Sequence, residues 1–517
     1  MIGRRSLLLV TRTALSTLMN VVGTAIVARR LGAEALGTVG YLMGLVGMLS
    51  VASDLGYSLA YTRRIASRQE MAQDIGTFAF IKIGLALLLT LAIVMAPAVD
   101  RQLSTALIQP HDMGPYLLVG LFYVTGILSG IFLQTFSARL EAVKVAAAGL
   151  IGSLLLLAVR VFSAWQGWGI LGLSAAVAIE GLGILMMGAI LFRGYPIARP
   201  SLVLLRDYTA YAWPQMALIA ITSLTADADR AMLGRLAGAA QVGYYVAVLG
   251  VLAVATEMVR TVMSLFFPRV SRDAELADYA SMYNRLKGAL KYLLLIIIPL
   301  VGAVMLMRDW WVPSYLGVDF VGAAPVAAVL ALTVIPVTIS RPYQQVLFAV
   351  EQHSHLLGVR LLGLLVLIAA GALLIPRSLF GLPGAGLGAV GAALALLLKD
   401  SIECACIVGL CNRYVGIGFW SEALWYIVAG TVQVGAGSAI LAQLPQPGMV
   451  IVLGAVAVGL ASYLLVLYAV GQFRKAEATL LLDTIHPVKL LRYIRSELNT
   501  IGQDARGYLD DVDSGLE

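Results

Sequence analysis

ARRLGAEALGTVGY at 28–41 and DADRAMLGRLAGAAQVGYY at 227–245 are two versions of one segment. Each holds an arginine, a leucine, a run of small residues and a Gly-Tyr pair that opens an apolar stretch. The copies lie 205–206 residues apart, so the chain reads as two similar halves. What fills the distance between them decides the fold.

That filling is apolar. Of 517 residues, 60% are hydrophobic and 13% charged, whereas a soluble domain carries roughly 25% charged residues. A soluble chain of this length could not cover its surface with so few charges. Soluble globular, disordered, collagen-like and disulfide-scaffold classes are excluded. Three cysteines make no disulfide framework.

A hydrocarbon layer of about 30 Å needs about 20 apolar residues of helix. Fourteen stretches meet that length: 6–28, 38–60, 75–98, 114–137, 145–164, 169–192, 208–227, 242–266, 288–307, 323–348, 355–375, 385–409, 421–443 and 448–471. They are too long and too evenly apolar for barrel strands. The first carries Arg12, Thr13, Ser16, Thr17 and Asn20 and lacks a small-residue cleavage site, so it reads as a polar-faced span rather than a signal peptide.

With both termini cytoplasmic, 23 Lys and Arg fall on the inner side and seven on the outer side, the asymmetry of the positive-inside rule. The net charge of +7 follows from that topology, and no basic-aromatic patch points to nucleic acid. The repeat spans six crossings, an even number, so both copies face the same way, as in parallel-repeat transporters. The expected fold is an all-α polytopic membrane protein with about 14 transmembrane helices. Residues 1–205 and 206–415 form two pseudo-symmetric six-helix bundles, 416–471 adds two spans, and 472–517 is a partly amphipathic cytoplasmic tail. Small-residue spacings such as Gly126-x-x-x-Gly130 suit close helix packing.

An ionisable group deep in a bilayer costs at least about 2.5–3.5 kcal/mol and marks a functional position by default. Lys82, Arg160, Arg260, Lys291, Arg341 and Lys399 lie within spans, and Arg12 lies inside the first. The acids are Asp54, Glu180, Glu257, Asp400 and Glu403. Plain explanations exist for several. Glu257 and Arg260, three apart, can neutralise each other, as can Lys399 and Glu403, four apart. Lys291, Arg12 and Arg360 can snorkel to the cytoplasmic surface, and Arg160 to the outer one. Lys82 and Arg341 have no acid three or four positions away, and Arg341 shares a face with Gln344 and Gln345. Lys82, Arg341, Arg260, Lys399 and Arg12 are therefore the expected cationic lining for an anionic substrate, since Arg and Lys bind phosphate oxygens. Glu180, Asp54 and Glu257 are the candidates for coupling an ion, H+ or Na+. Asp54 can also pair with Arg63, Arg64 or Lys82.

No Walker A, G-x-S-x-G or H-E-x-x-H pattern occurs and no loop is long enough to hide a catalytic domain, so no enzyme activity is expected. Cys404, Cys406 and Cys411 read as packing residues. No metal or organic cofactor is expected.

RxLGAxxLGxxGY after the first span, DLGYS near the end of the second and DRxMLGxLxGxxxVGYY after the seventh resemble the polysaccharide-exporting branch of the MOP superfamily, the Wzx-type oligosaccharide flippases. The resemblance extends over nearly the whole chain through span count and repeat. It implies transfer of an undecaprenyl-pyrophosphate-linked oligosaccharide from the cytoplasmic to the outer leaflet of a bacterial inner membrane, by ion-driven alternating access through a cationic lumen. The polysaccharide polymerase and chain-length machinery are the implied partners. The motifs are packing motifs and assign no role to individual charges. A MATE-type cation antiporter shares the superfamily fold but would place a carboxylate in the first span, which has none. A lipid II flippase is chemically closer, whereas a membrane glycosyltransferase would need a large outer loop.

Overall fold

The computed structural model describes residues 2–65, 71–103, 107–379, 381–443 and 448–473. Fourteen α-helices follow one another: α1 (Ile2–Leu49), α2 (Tyr57–Ile65), α3 (Ala72–Leu103), α4 (Met113–Ala138), α5 (Ala142–Gln166), α6 (Gly169–Leu191), α7 (Leu202–Ala237), α8 (Ala239–Glu275), α9 (Tyr279–Leu316), α10 (Ala324–Ala349), α11 (His353–Leu374), α12 (Gly388–Val415), α13 (Ala423–Leu441) and α14 (Met449–Ala469). Strand pairing among the described residues is limited to a two-residue hairpin, Ser378–Leu379 with Leu382–Pro383. The tail expected to be amphipathic lies outside the described residues.

Among the described residues, eleven helices are long and apolar enough to cross a membrane. The other three expected crossings have identifiable causes. α1 runs through both the first span and most of the second. α7 is diluted by Arg206, Asp207, Asp227, Asp229 and Arg230, and α12 carries Lys399, Asp400 and Glu403. Large apolar side chains stay exposed in rows, as with Leu87, Leu91 and Val94 on α3. Such a surface belongs against lipid tails.

The second span departs from its expected range, 38–60. α1 ends at Leu49, a short 3-10 turn follows over Ser50–Ser53, and the chain bends at Leu55 (φ 47) and Gly56 (φ 83) before α2 begins. The bend holds Asp54, which binds Lys82 of α3. The quoted DLGYS motif is thus a helix break organised around a buried charge pair.

The two repeat copies are also breaks, and they meet. Gly32 (φ 77, ψ −178) kinks α1, and its counterpart Gly238 (φ 90, ψ 168) separates α7 from α8. Only glycine takes that backbone state without strain. Beyond them the segments cross. A methyl added at Gly37 would strike the Ala239 carbonyl, and one added at Gly243 would strike the Ala33 carbonyl. Those four residues are repeat partners, so the contact is reciprocal. It joins the halves backbone to backbone, with Gly40 against Val246 and Gly44 against Ala231 continuing the seam. The connection expected between the spans, 228–241, is therefore helical on both sides of one glycine.

Packing differs between the halves. One continuous core runs through α8–α14 and takes in Ala28 and Ala33 of α1. The N-terminal helices divide theirs into smaller clusters, one around Tyr61, Phe78, Phe136 and Tyr208 and another around Leu42, Leu89, Tyr116 and Ile127.

Candidate functional site

In the N-terminal half, three charges from three helices converge. Arg12 of α1 and Arg160 of α5 are the charged groups that act on Glu180 of α6. Arg160 donates to the Asn20 side chain at 2.7 Å, so it is held inside rather than snorkelling. Arg12 lies against Gly149 of α5, and its Nε finds no hydrogen-bond partner among the described residues. Glu180 makes no direct hydrogen bond or ion pair among the described residues. The Glu180 carboxylate thus lies within reach of the charge of two guanidinium groups.

Arg12 also feels Arg260 and Glu257 of α8, which carries the charge cluster into the second half. Arg260 pairs with Glu257 on its own helix, donating from Nε at 3.0 Å, and its side chain is 72% exposed. The pairing expected from their spacing is therefore present.

In the C-terminal half, Arg341 of α10 is exposed deep within its helix. It makes no hydrogen bond or ion pair among the described residues. The charges acting on it are Arg360 of α11, Asp400 and Glu403 of α12, and Arg260. An exposed guanidinium on a lipid-facing surface would carry the full insertion cost. With charged neighbours on three other helices, Arg341 faces inward.

Two expected partners change hands. Lys399 and Glu403 were expected to neutralise each other at a spacing of four, but Lys399 Nζ instead lies 2.7 Å from Asp400 Oδ1. Glu403 is taken by Arg360, which also donates to Gln344 Oε1 at 3.3 Å. Arg360 therefore does not snorkel. Gly363 makes the pair possible, because a methyl there would overlap the Glu403 carboxylate. The polar face shared by Arg341 and Gln344 is thus split between an unpaired group and a buried network.

Lys82 requires a correction. No acid lies three or four positions from it, but of the three partners open to Asp54 the structure selects Lys82, whose ammonium binds the Asp54 carboxylate, contacts the Ser53 carbonyl at 3.3 Å and lies over the Phe78 ring at 5.4 Å. Its side chain is 4% exposed. Helix-local spacing could not show this, because Asp54 comes from the break in the second span. Lys82 and Asp54 are one neutral unit within the N-terminal half.

A further buried group went unread. Asp229 accepts from Tyr245 at 2.6 Å, and Asp227 packs at Gly47 of α1 with Arg230 3.6 Å away. Four polar residues in six mimic a loop. Gly234, close behind them, adds to that resemblance, and the stretch is helical nonetheless.

At the end opposite the repeat seam, Glu141 between α4 and α5 accepts from Tyr195, lies 2.9 Å from Lys144 and 3.4 Å from Arg139. Burial raises its pKa, but the Tyr195 and Lys144 hydrogen bonds outweigh it and hold the carboxyl below its ordinary value.

Comparison with known proteins agrees with this architecture. The model of the family described as "Polysaccharide biosynthesis protein" matches residues 2–273. The chain belongs to that family. Among solved structures, a lipid II flippase, MurJ, in an inward closed conformation superposes with a TM-score of 0.70 at 13% identity, covering 89% of this chain and 98% of that one. An inward-facing multidrug resistance MATE family transporter of the MOP superfamily gives 0.64 at 14% identity, over 78% and 94%. A MOP superfamily transporter from Pyrococcus furiosus gives 0.57 at 15% identity, over 80% and 95%. The fold is that of the MOP transporters. No curated protein matches by sequence.

Proposed function

We propose that this protein is a flippase that moves a polyprenyl-pyrophosphate-linked oligosaccharide from the cytoplasmic to the outer leaflet of the bacterial inner membrane, in the biosynthesis of a surface polysaccharide. The observation that carries the reading is the placement of Arg12, Arg260 and Arg341. They come from α1, α8 and α10, thus from both halves, and act on one another in sequence. Arg12 and Arg341 make no direct ion pair among the described residues, which leaves their donors for another acceptor. A guanidinium offers paired donors that match phosphate oxygens. A diphosphate held between the halves would let them rock around it while the glycan follows through the opening. The family description supports polysaccharide biosynthesis.

The acids around Arg260 and Arg341 are already matched with bases: Glu257 with Arg260, Asp400 with Lys399 and Glu403 with Arg360. That disfavours a cationic cargo. Glu180, between Arg12 and Arg160, is the proposed site of ion coupling, by H+ or Na+. Arg341→Ala is expected to reduce glycan display at least tenfold at unchanged membrane abundance, in cells whose surface polysaccharide depends on this chain. Display at the wild-type level would reject the cationic reading.

A further inference from the structure

The two halves contain the same fifth helix, and its charge is supplied by different routes. α5 and α11 begin from one turn geometry. Leu140 (φ 60) and Glu351 (φ 57) are both left-handed. Their amides donate to Ser137 and Phe348, and the next amides, of Glu141 and Gln352, donate to Phe136 and Leu347. The helices are followed by matching glycines, Gly167 and Gly386 (φ 69 and 66), then Gly169 and Gly388 (φ 56 and 54).

The spacing that relates Leu140 to Glu351 also relates Gly152 to Gly363. Gly152 faces Ile184 of α6, and Gly363 faces Glu403 of α12. Ile184 and Glu403 are in turn related by the spacing of Gly169 to Gly388, so the alignment holds across both helices. By the spacing of Leu140 to Glu351, Gly149 of α5 stands where α11 carries Arg360.

Gly149 is not vacant space. The three heavy atoms nearest to a methyl added there all belong to the guanidinium of Arg12. At Gly37 the corresponding atoms are backbone, so close helix approach explains that glycine but not this one. Glycine inside a helix is otherwise disfavoured relative to alanine, which calls for a specific reason.

We propose that Gly149 is a positioning residue for Arg12: its missing side chain forms a socket on α5 that seats the guanidinium delivered from α1, at the point where the C-terminal half uses its own Arg360. The inference rests on the reading of Arg12 as a substrate-binding group. Arg12 is a flexible side chain, so alanine at 149 moves the guanidinium and spares the helix. The displaced group no longer holds its place beside Glu180 and Arg260.

The test compares Gly149→Ala, Arg12→Ala and the double variant in the full-length protein. Glycan display, membrane abundance, thermal unfolding in detergent and binding of farnesyl diphosphate to the purified protein are measured. Gly149→Ala should fold with undiminished thermal stability, lose at least tenfold in display and weaken farnesyl diphosphate binding about tenfold. The double variant should be no worse than Arg12→Ala alone. Arg12→Lys, with a slimmer head, should restore part of the binding lost in Gly149→Ala. If Gly149→Ala accumulates poorly, adding Arg12→Ala must restore its abundance, and failure to do so overturns the socket. Wild-type display from Gly149→Ala beside a defective Arg12→Ala overturns the positioning role alone. Independent, multiplying losses in the double variant do the same. Wild-type display from Arg12→Ala rejects the substrate role on which the inference rests.

Discussion

The charges around Glu180 in the N-terminal half are held apart, and those around Arg341 in the C-terminal half are largely held in pairs. Around Glu180, Arg12 and Arg160 act from a distance, with Asn20 rather than a carboxylate bonded to Arg160. Around Arg341, Lys399 binds Asp400 and Arg360 binds Glu403, leaving one guanidinium over. Each group carries one net positive charge. The difference shows that the same excess can be built by spacing or by pairing. Only a loosely held carboxylate can change its state without breaking a bonded network.

That contrast can be broken most forcefully in the C-terminal half. Removing one partner of a buried pair leaves an uncompensated charge, at a cost of about 3–5 kcal/mol. Arg360→Ala should therefore lower thermal stability by that order, with a marked fall in membrane abundance. Adding Glu403→Gln should recover most of it. An Arg360→Ala protein as stable as wild type would show that Glu403 needs no partner.

The N-terminal half sharpens the contrast from the other side. Glu180→Gln removes a carboxylate with no directly bonded partner among the described residues, so abundance should change little. Transport in reconstituted vesicles should lose its dependence on an imposed proton or sodium gradient. An unchanged gradient dependence would remove Glu180 from the coupling role.

The smallest effect is expected at the turns before α5 and α11. They share one backbone geometry, but the N-terminal turn has Glu141 where the C-terminal one has Gln352. Glu141→Gln copies the second turn into the first and should cost less than about 1 kcal/mol at neutral pH, the range of exposed ion pairs. The carboxyl of Glu141 titrates below its ordinary value, so its contribution is complete above the ordinary carboxylate range. It is lost as pH falls through the lowered pKa. Melting temperatures of wild type and variant should therefore converge in acid, and a gap that persists there would assign the effect to packing.

The all-helical membrane fold and the presence of charges within its helices were legible from residue order. Hydrophobic length and the Gly-Tyr segments act locally, and a six-crossing period needs no knowledge of packing. Partner choice was legible only in part. Glu257 and Arg260 sit one turn apart on one helix, and their pairing follows from spacing. Lys399 sits as close to Glu403, yet Arg360 reaches Glu403 across α11 and α12 because Gly363 leaves room.

Residue order by itself therefore determined that this is a multi-pass helical membrane protein with charged groups inside its spans. Transfer cost accumulates along a segment and needs no neighbour to be defined. The tertiary structure decided which of those charges cancel across helices. Asp54 meets Lys82 through a break in a span, and Gly149 admits Arg12 from another helix. Charge pairing acts over a few ångströms, and only the packing of helices distant in the chain sets those distances.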